Sequence, residues 1–226
     1  MPTYRSPDEA EIRDEVVALT RKSWPNARII HEINASGQGS NRIDVLAVDL
    51  KNIAAFEIKS KKDKLDRLQK QMTAMNLVTR KSYGVIHDKF FEDRTTNKHN
   101  PNSWKGKDGQ HWMKHFPPIQ GVRTSNIWRY SEGVIDLNWN WRSPYPDLSI
   151  QESLPYTALG ILWAAELRDM CGRLRIGLGK RPNMETCRNA ITWYASGKEI
   201  TEGICQQLRM RQCIEADPAI TPNTGE

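Results

Sequence analysis

The chain has 226 residues, and its 33 Lys and Arg against 27 Asp and Glu give a formal net charge of +6. With 38% apolar and 27% charged residues it has the composition of an ordinary soluble globular protein, one large domain or a domain with an appendage, which excludes disordered, collagen-like and coiled-coil readings. The longest apolar run, residues 157–165, is far short of the roughly 20 residues that cross a bilayer. The acidic start MPTYRSPDEAEIRDE has no apolar secretory core, so the expected location is the cytoplasm.

Ser6, Pro7 and the acids that follow open a helix over residues 7–24, with Ile12, Val16 and Leu19 on one stripe and Pro25 as its stop. RIIHEIN (28–34) reads as a strand, and ASGQGSN after it as a loop. IDVLAVD (43–49) and IAAFEIK (53–59) form an antiparallel hairpin. Both faces of each are apolar, which assigns them to the middle of a sheet. Residues 63–80 return to helical spacing through Leu65, Leu68, Met72, Met75 and Val78, and SYGVIHD (82–88) is a further strand. This order implies an α/β (α+β) fold, a mixed sheet flanked by helices.

Residues 90–126 are polar but hold Phe90, Phe91, Trp104, Trp112 and Phe116, and read as a long binding loop or lid. A strand pair with Trp128, Trp139 and Trp141 is expected over 127–142. From residue 153 the pattern is helical: TALGILWAAELRDMCGRL, a break at Gly177 and Gly179, then helices near 184–196 and 199–213. They form a cap packed through Leu162, Trp163, Leu167 and Trp193, or an accessory polyanion-contacting region built on their arginines. The expected organisation is a core over 1–89, an insertion with completing strands over 90–150, a helical region over 151–215 and a flexible tail over 216–226. The four cysteines, all in the last quarter and none in a C-x-x-C pair, read as buried apolar side chains.

Chemistry concentrates around Arg42-Ile43-Asp44 and Glu57-Ile58-Lys59. Glu57 and Lys59, two apart on a strand, share a face. A two-residue turn at Leu50 and Lys51 sets Asp44 opposite Glu57, whereas a turn at Lys51 and Asn52 sets it opposite Lys59. Either puts all three on one face. Two carboxylates so close in an apolar sheet repel unless a cation joins them, and all-oxygen ligands suit a hard divalent ion. The positive excess lies just downstream, where residues 59–81 carry 8 basic and 2 acidic side chains, the footprint of a polyanion partner.

R-x-D, about a dozen residues and then E-x-K on an adjacent strand resembles the PD-(D/E)XK nuclease superfamily, with its restriction-endonuclease-like fold. EIKSKKDKLDRLQKQ resembles a group of small bacterial and phage members with an EIKS-x-x-D-x-L-x-R-L-x-x-Q pattern; the similarity covers residues 28–90, and ILWAAEL (161–167) extends it. The superfamily's proline is replaced by Ile43, and HFPPIQGV stands where a Trp-Gly-Ile-like element is expected. The resemblance implies that Asp44, Glu57 and the Ile58 carbonyl hold Mg²⁺, with Mn²⁺ as substitute, that Lys59 orients the attacking water, and that Gln71 sits near. A further acid comes from Glu32, Glu15 or Glu11, with Glu32 preferred. Asp63 caps the following helix, and Lys61, Lys62, Lys64, Arg67, Lys70 and Arg42 contact DNA. The expected activity is a Mg²⁺-dependent deoxyribonuclease, endonuclease rather than exonuclease, with DNA as partner and a homodimer as the assembly the superfamily allows. The alternative is a non-catalytic nucleic-acid-binding or phage–host interaction protein on the same fold. His111 and His115 have the i, i+4 spacing of a zinc helix, but the glutamate of H-E-x-x-H is missing, and with Trp104 and Trp112 they better suit a nucleic-acid groove.

Overall fold

The computed structural model describes residues 6–35, 41–137 and 152–220. Helix α1 spans Pro7–Ser23; the Ser6 hydroxyl accepts the Glu9 N–H at 3.2 Å, Pro7 fills a position that needs no N–H, and Asp8 and Glu9 sit at the positive end of the helix dipole. Its buried stripe is Glu9, Ile12, Arg13, Val16 and Thr20, so an acid and a base lie on the face turned to the sheet.

The next three strands, β1 (Arg28–Asn34), β2 (Arg42–Val48) and β3 (Ile53–Lys59), form an antiparallel meander. Every residue of β3 is buried, as continuous apolar patterning demands of an interior strand. Helix α2 (Leu68–Asn76) crosses to β4 (Lys81–His87), which pairs with β3 in parallel. Strands β5 (Glu92–Thr96), β6 (Trp104–Lys105) and β7 (His111–His115) form a separate antiparallel sheet in the order β5-β7-β6. The chain then returns through β8 (Ile127–Ser131), parallel to β4, and β9 (Val134–Asp136), after a tight turn in which Glu132 and Gly133 have φ of 51° and 82°. The large sheet is mixed, ordered β1-β2-β3-β4-β8-β9.

Alternation along the strands separates two apolar layers. On one face Ile12 and Val16 of α1 meet Val45, Ala47, Ala54, Phe56 and Trp128. On the other, Leu68, Met72 and Met75 join Leu46, Val48, Ile53 and Ala55. Helices α3 (Ala164–Arg173), α4 (Met184–Tyr194) and α5 (Gly197–Met210) contribute Leu167, Ile191, Ile204 and Leu208 to the same layer.

Several sequence expectations need correction. The helix expected from residue 63 begins at Leu68, because Asp63 accepts the Ser60 N–H and hydroxyl at 2.8 and 2.7 Å and closes a turn instead of capping α2. Lys89 holds that turn through the carbonyls of Lys61 and Asp63. The loop expected over 90–126 contains the small sheet. Residues 156–161 form a 3₁₀ turn ahead of α3; Leu162 and Leu167 pack inside, but Trp163 and Trp193 are 55% and 82% exposed. The described part of the expected tail is anchored: Asp217 N–H donates to the Ile29 carbonyl and Ile220 N–H to the Arg209 carbonyl, at 2.9 and 2.8 Å. Cys171, Cys187 and Cys205 are buried free thiols, and Cys213 is half-buried. Trp139 and Trp141, most of the 35–41 loop and the last six residues of the tail lie outside the described residues.

Candidate active site

The hairpin register decides which charged residues meet. Asp49 N–H donates to the Asn52 carbonyl at 2.9 Å, so Leu50 and Lys51 form the turn, and pairs run from Val48–Ile53 to Val45–Phe56. One more step sets Asp44 opposite Glu57, the first of the two registers considered from sequence. The ladder stops short of that pair. Asp44 Oδ2 accepts the Ile58 N–H at 2.8 Å, and the Asp44 carbonyl accepts from Arg13 Nη1 at 2.5 Å. Ile58 thus meets Asp44 through its N–H.

Glu57 and Lys59 lie on the strand face shared with Ile53 and Ala55, the side that α2 covers. Lys59 Nζ donates to Glu57 Oε1 at 2.5 Å, with the side chains 6% and 1% exposed. Such a pair gives up the hydration of both ions, so apolar residues of similar volume would serve stability as well or better.

From the α1 side a second group converges on Asp44. Glu9, Glu32 and Asp44 each bring a carboxylate oxygen within 4.8 Å of the others. Arg13, 1% exposed, lies among them; Nη2 donates to Glu9 and, at 3.0 Å, to Glu32 Oε1. Arg42, largely exposed, reaches Glu32 Oε2 at 3.5 Å. Glu32 has φ of 53°, a left-handed conformation that costs a non-glycine residue about 1–2 kcal/mol. The β1–β2 pairing correspondingly skips from His31–Val45 to Ile33–Ile43. Ile33 and Ile43 then join the α2-side layer, although alternation from Ile29 and Val45 assigns them to the α1 side. Both strands therefore change face where Glu32 and Asp44 meet.

Burial pushes the Asp44 carboxyl up to about 6; the Ile58 N–H and the charges of Arg13 and Lys59 oppose the rise, and Glu32 adds to it. Burial works against the Arg13 guanidinium too, but the hydrogen bond to Glu9 and the charges of Asp44, Glu9 and Glu32 outweigh it and raise its pKa. Burial, then Arg13, lowers the pKa of His31, whose Nδ1 lies 3.5 Å from Arg13 Nη1.

Of the acids considered from sequence, Glu32 joins Asp44. Glu11 and Glu15 lie beside Tyr130, whose hydroxyl pKa is raised by burial and then by these two acids. Glu9 and Arg13 were not anticipated. Their signal was present, since residues 9, 12, 13 and 16 form one stripe, and charges on an apolar stripe mark a built contact. Gln71 is half-buried on α2, and its Oε1 has no hydrogen-bond partner among the described residues.

The basic segment divides. Lys61 and Lys62 reach Asp8 at 2.8 and 2.7 Å, and those hydrogen bonds, Lys61 first, lower the Asp8 pKa. Lys64, Arg67 and Lys70 are exposed, as phosphate contacts need to be. His111 and His115 stand on β7 rather than on a helix, and neither joins the acidic group.

Residues 4–101, which run from the start of α1 past β5, match the family described as Bacteriophage P4 protein cII. Neither a curated protein nor a solved structure matches the chain. Among the described residues, no helix is long and apolar enough to cross a membrane.

Proposed function

We propose that the chain is a Mg²⁺-dependent deoxyribonuclease that hydrolyses phosphodiester bonds at the Asp44, Glu57 and Lys59 end of the β2–β3 hairpin. The observation that carries this reading is the burial of all three ionisable side chains, at 7%, 1% and 5% exposure, on interior strands where apolar residues would be more stabilising. The donor set fits a hard cation. Glu9, Glu32 and Asp44 bring three carboxylates around the buried guanidinium of Arg13, and every side-chain donor among the three acids is oxygen. Asp44, Glu32 and Glu9 would hold the ion, and the resemblance would add Glu57 and the Ile58 carbonyl from β3. The bound metal would supply a water acidic enough to attack phosphorus.

In this reading Asp44 stays fixed by the Ile58 N–H, and Lys59 places its ammonium where charge develops on the phosphate. Gln71 offers a side-chain amide from the helix over the same face. Lys64, Arg67 and Lys70 meet the backbone of the nucleic acid beyond the cut, and Lys61 and Lys62 join them at the N-terminus of α1. The similarity of residues 4–101 to a phage protein family supports action in a phage-infected bacterial cell.

Arg13 favours a second reading. It already gives the acidic group one cation, as expected of a non-catalytic nucleic-acid-binding or phage–host interaction protein that kept the fold. The test is to incubate the purified full chain with supercoiled, linear and single-stranded DNA in Mg²⁺, Mn²⁺ or EDTA, beside Lys59→Ala. The nuclease reading expects metal-dependent cutting, with nicking of the supercoiled form, and a loss of at least about a hundredfold in the variant. Binding without cutting in any metal supports the second reading instead.

A further inference from the structure

The outer edge of β1 is covered along only part of its length. Residues 215–217 run beside it, with the Glu215 carbonyl accepting the His31 N–H at 2.8 Å and an isolated bridge from Ala216 to Ile30. Past His31, residues Glu32, Ile33 and Asn34 line a cleft of about 680 Å³ that Trp163, Arg211 and Arg42 also line. That volume lies within the roughly 300–1,000 Å³ of small-molecule sites.

Trp163, the residue that precedes α3 as its N-cap, is 55% exposed. The Arg211 guanidinium lies 4.4 Å from the centre of its ring. Arg211 is itself fixed, by hydrogen bonds of 2.7 and 2.5 Å to the two Glu166 oxygens and 2.9 Å to the Ile161 carbonyl. The indole is therefore a stiff, partly bare platform. Arg42 is also largely exposed, and it contacts Glu32, which belongs to both the cleft and the acidic group around Asp44.

On the premise that the chain acts on nucleic acid, as argued above, we propose that this cleft is a subsite for one unpaired nucleotide. Its base stacks on Trp163 and its phosphate meets Arg42, next to the acidic group. A flat aromatic surface with a cation at reach is the arrangement that binds single strands irrespective of sequence. A base inside a duplex has no free face to offer it, so the favoured substrate has a single-stranded, frayed or extruded nucleotide beside the bond that is cut.

The test is fluorescence anisotropy of the full chain with a labelled oligo-dT and with a labelled hairpin duplex, in EDTA so that nothing is cut. Wild type should prefer the single strand. Trp163→Leu should weaken that binding about tenfold, since one base–aromatic stack is worth roughly 1–3 kcal/mol. Trp163→Phe should restore most of it. Arg42→Gln, at a largely exposed side chain, should also weaken it, and Trp163→Leu should leave duplex binding unchanged. Single-strand binding unchanged in both Trp163→Leu and Arg42→Gln would overturn the proposal, as would a wild-type preference for the duplex. Trp163-dependent binding in a protein that cuts nothing in Mg²⁺ upholds the cleft and removes the nuclease. Metal-dependent cutting with single-strand binding indifferent to both substitutions does the reverse.

Discussion

In the six-stranded sheet, Asp44, Glu57 and Lys59 are buried near the ends of interior strands, whereas in the three-stranded sheet Glu92, Asp93 and Arg94 stand in solvent. Both sheets contain acid–base contacts, Lys59 to Glu57 at 2.5 Å and Arg94 to Glu92 at 3.2 Å. Their cost differs because water hydrates the second pair and not the first. Charges kept where they weaken a fold are the ones that call for a functional explanation, and this separates the two regions more sharply than residue type does.

The largest effect should come from breaking the buried pair on one side. Lys59→Met removes the countercharge of Glu57 and should cost about 3–5 kcal/mol in urea denaturation, while Arg94→Ala in the small sheet should stay within about 0.5 kcal/mol. Equal effects would erase the contrast.

Asp44→Asn should act in the opposite direction. The folded chain binds the Asp44 proton up to about pH 6, whereas the carboxyl's ordinary value is 3.8. Between those limits the folded state holds more protons than the unfolded one, so stability falls as pH rises through the window and stays lower above it. The asparagine carries no such penalty. At pH 7 the variant should be more stable than wild type by up to about 3 kcal/mol, and the gain should vanish below about pH 4. Denaturation curves at the two pH values check the sign. A smaller effect is expected from metal: Mg²⁺ at a hundred times its dissociation constant should stabilise wild type by about 2.7 kcal/mol. Asp44→Asn should lose most of that increment, as read by thermal unfolding with and without the ion.

The six-stranded sheet was largely legible in the sequence because its strands are nearly continuous runs of Val, Ile, Leu and Ala, as at residues 43–48 and 53–58. The Asp-Leu-Lys-Asn turn limited the hairpin to two registers, and the Asp49–Asn52 hydrogen bond selects one of them. The three-stranded sheet was not legible. Its strands are five, two and five residues long, and EDRTT offers no apolar alternation. The start of α2 was misread because Asp63 looks like a helix cap, while its carboxylate in fact closes the Ser60 turn. In the candidate site, Asp44, Glu57, Lys59 and Glu32 followed from spacing and resemblance. Glu9 and Arg13 did not, because an i, i+4 acid–base pair near a helix start looks solvent-facing even when, as here, it shares the apolar stripe. Only the docking of α1 on the sheet buries it.

Cleavage of supercoiled DNA in Mg²⁺ by wild type and Asp44→Asn, each confirmed folded by its own unfolding curve, tests the central claim most directly. A nuclease site built at the expense of stability predicts a variant that unfolds later than wild type when metal is absent and leaves the DNA intact when Mg²⁺ is present. A variant that cuts as fast as wild type would contradict the account, as would a wild type that never cuts.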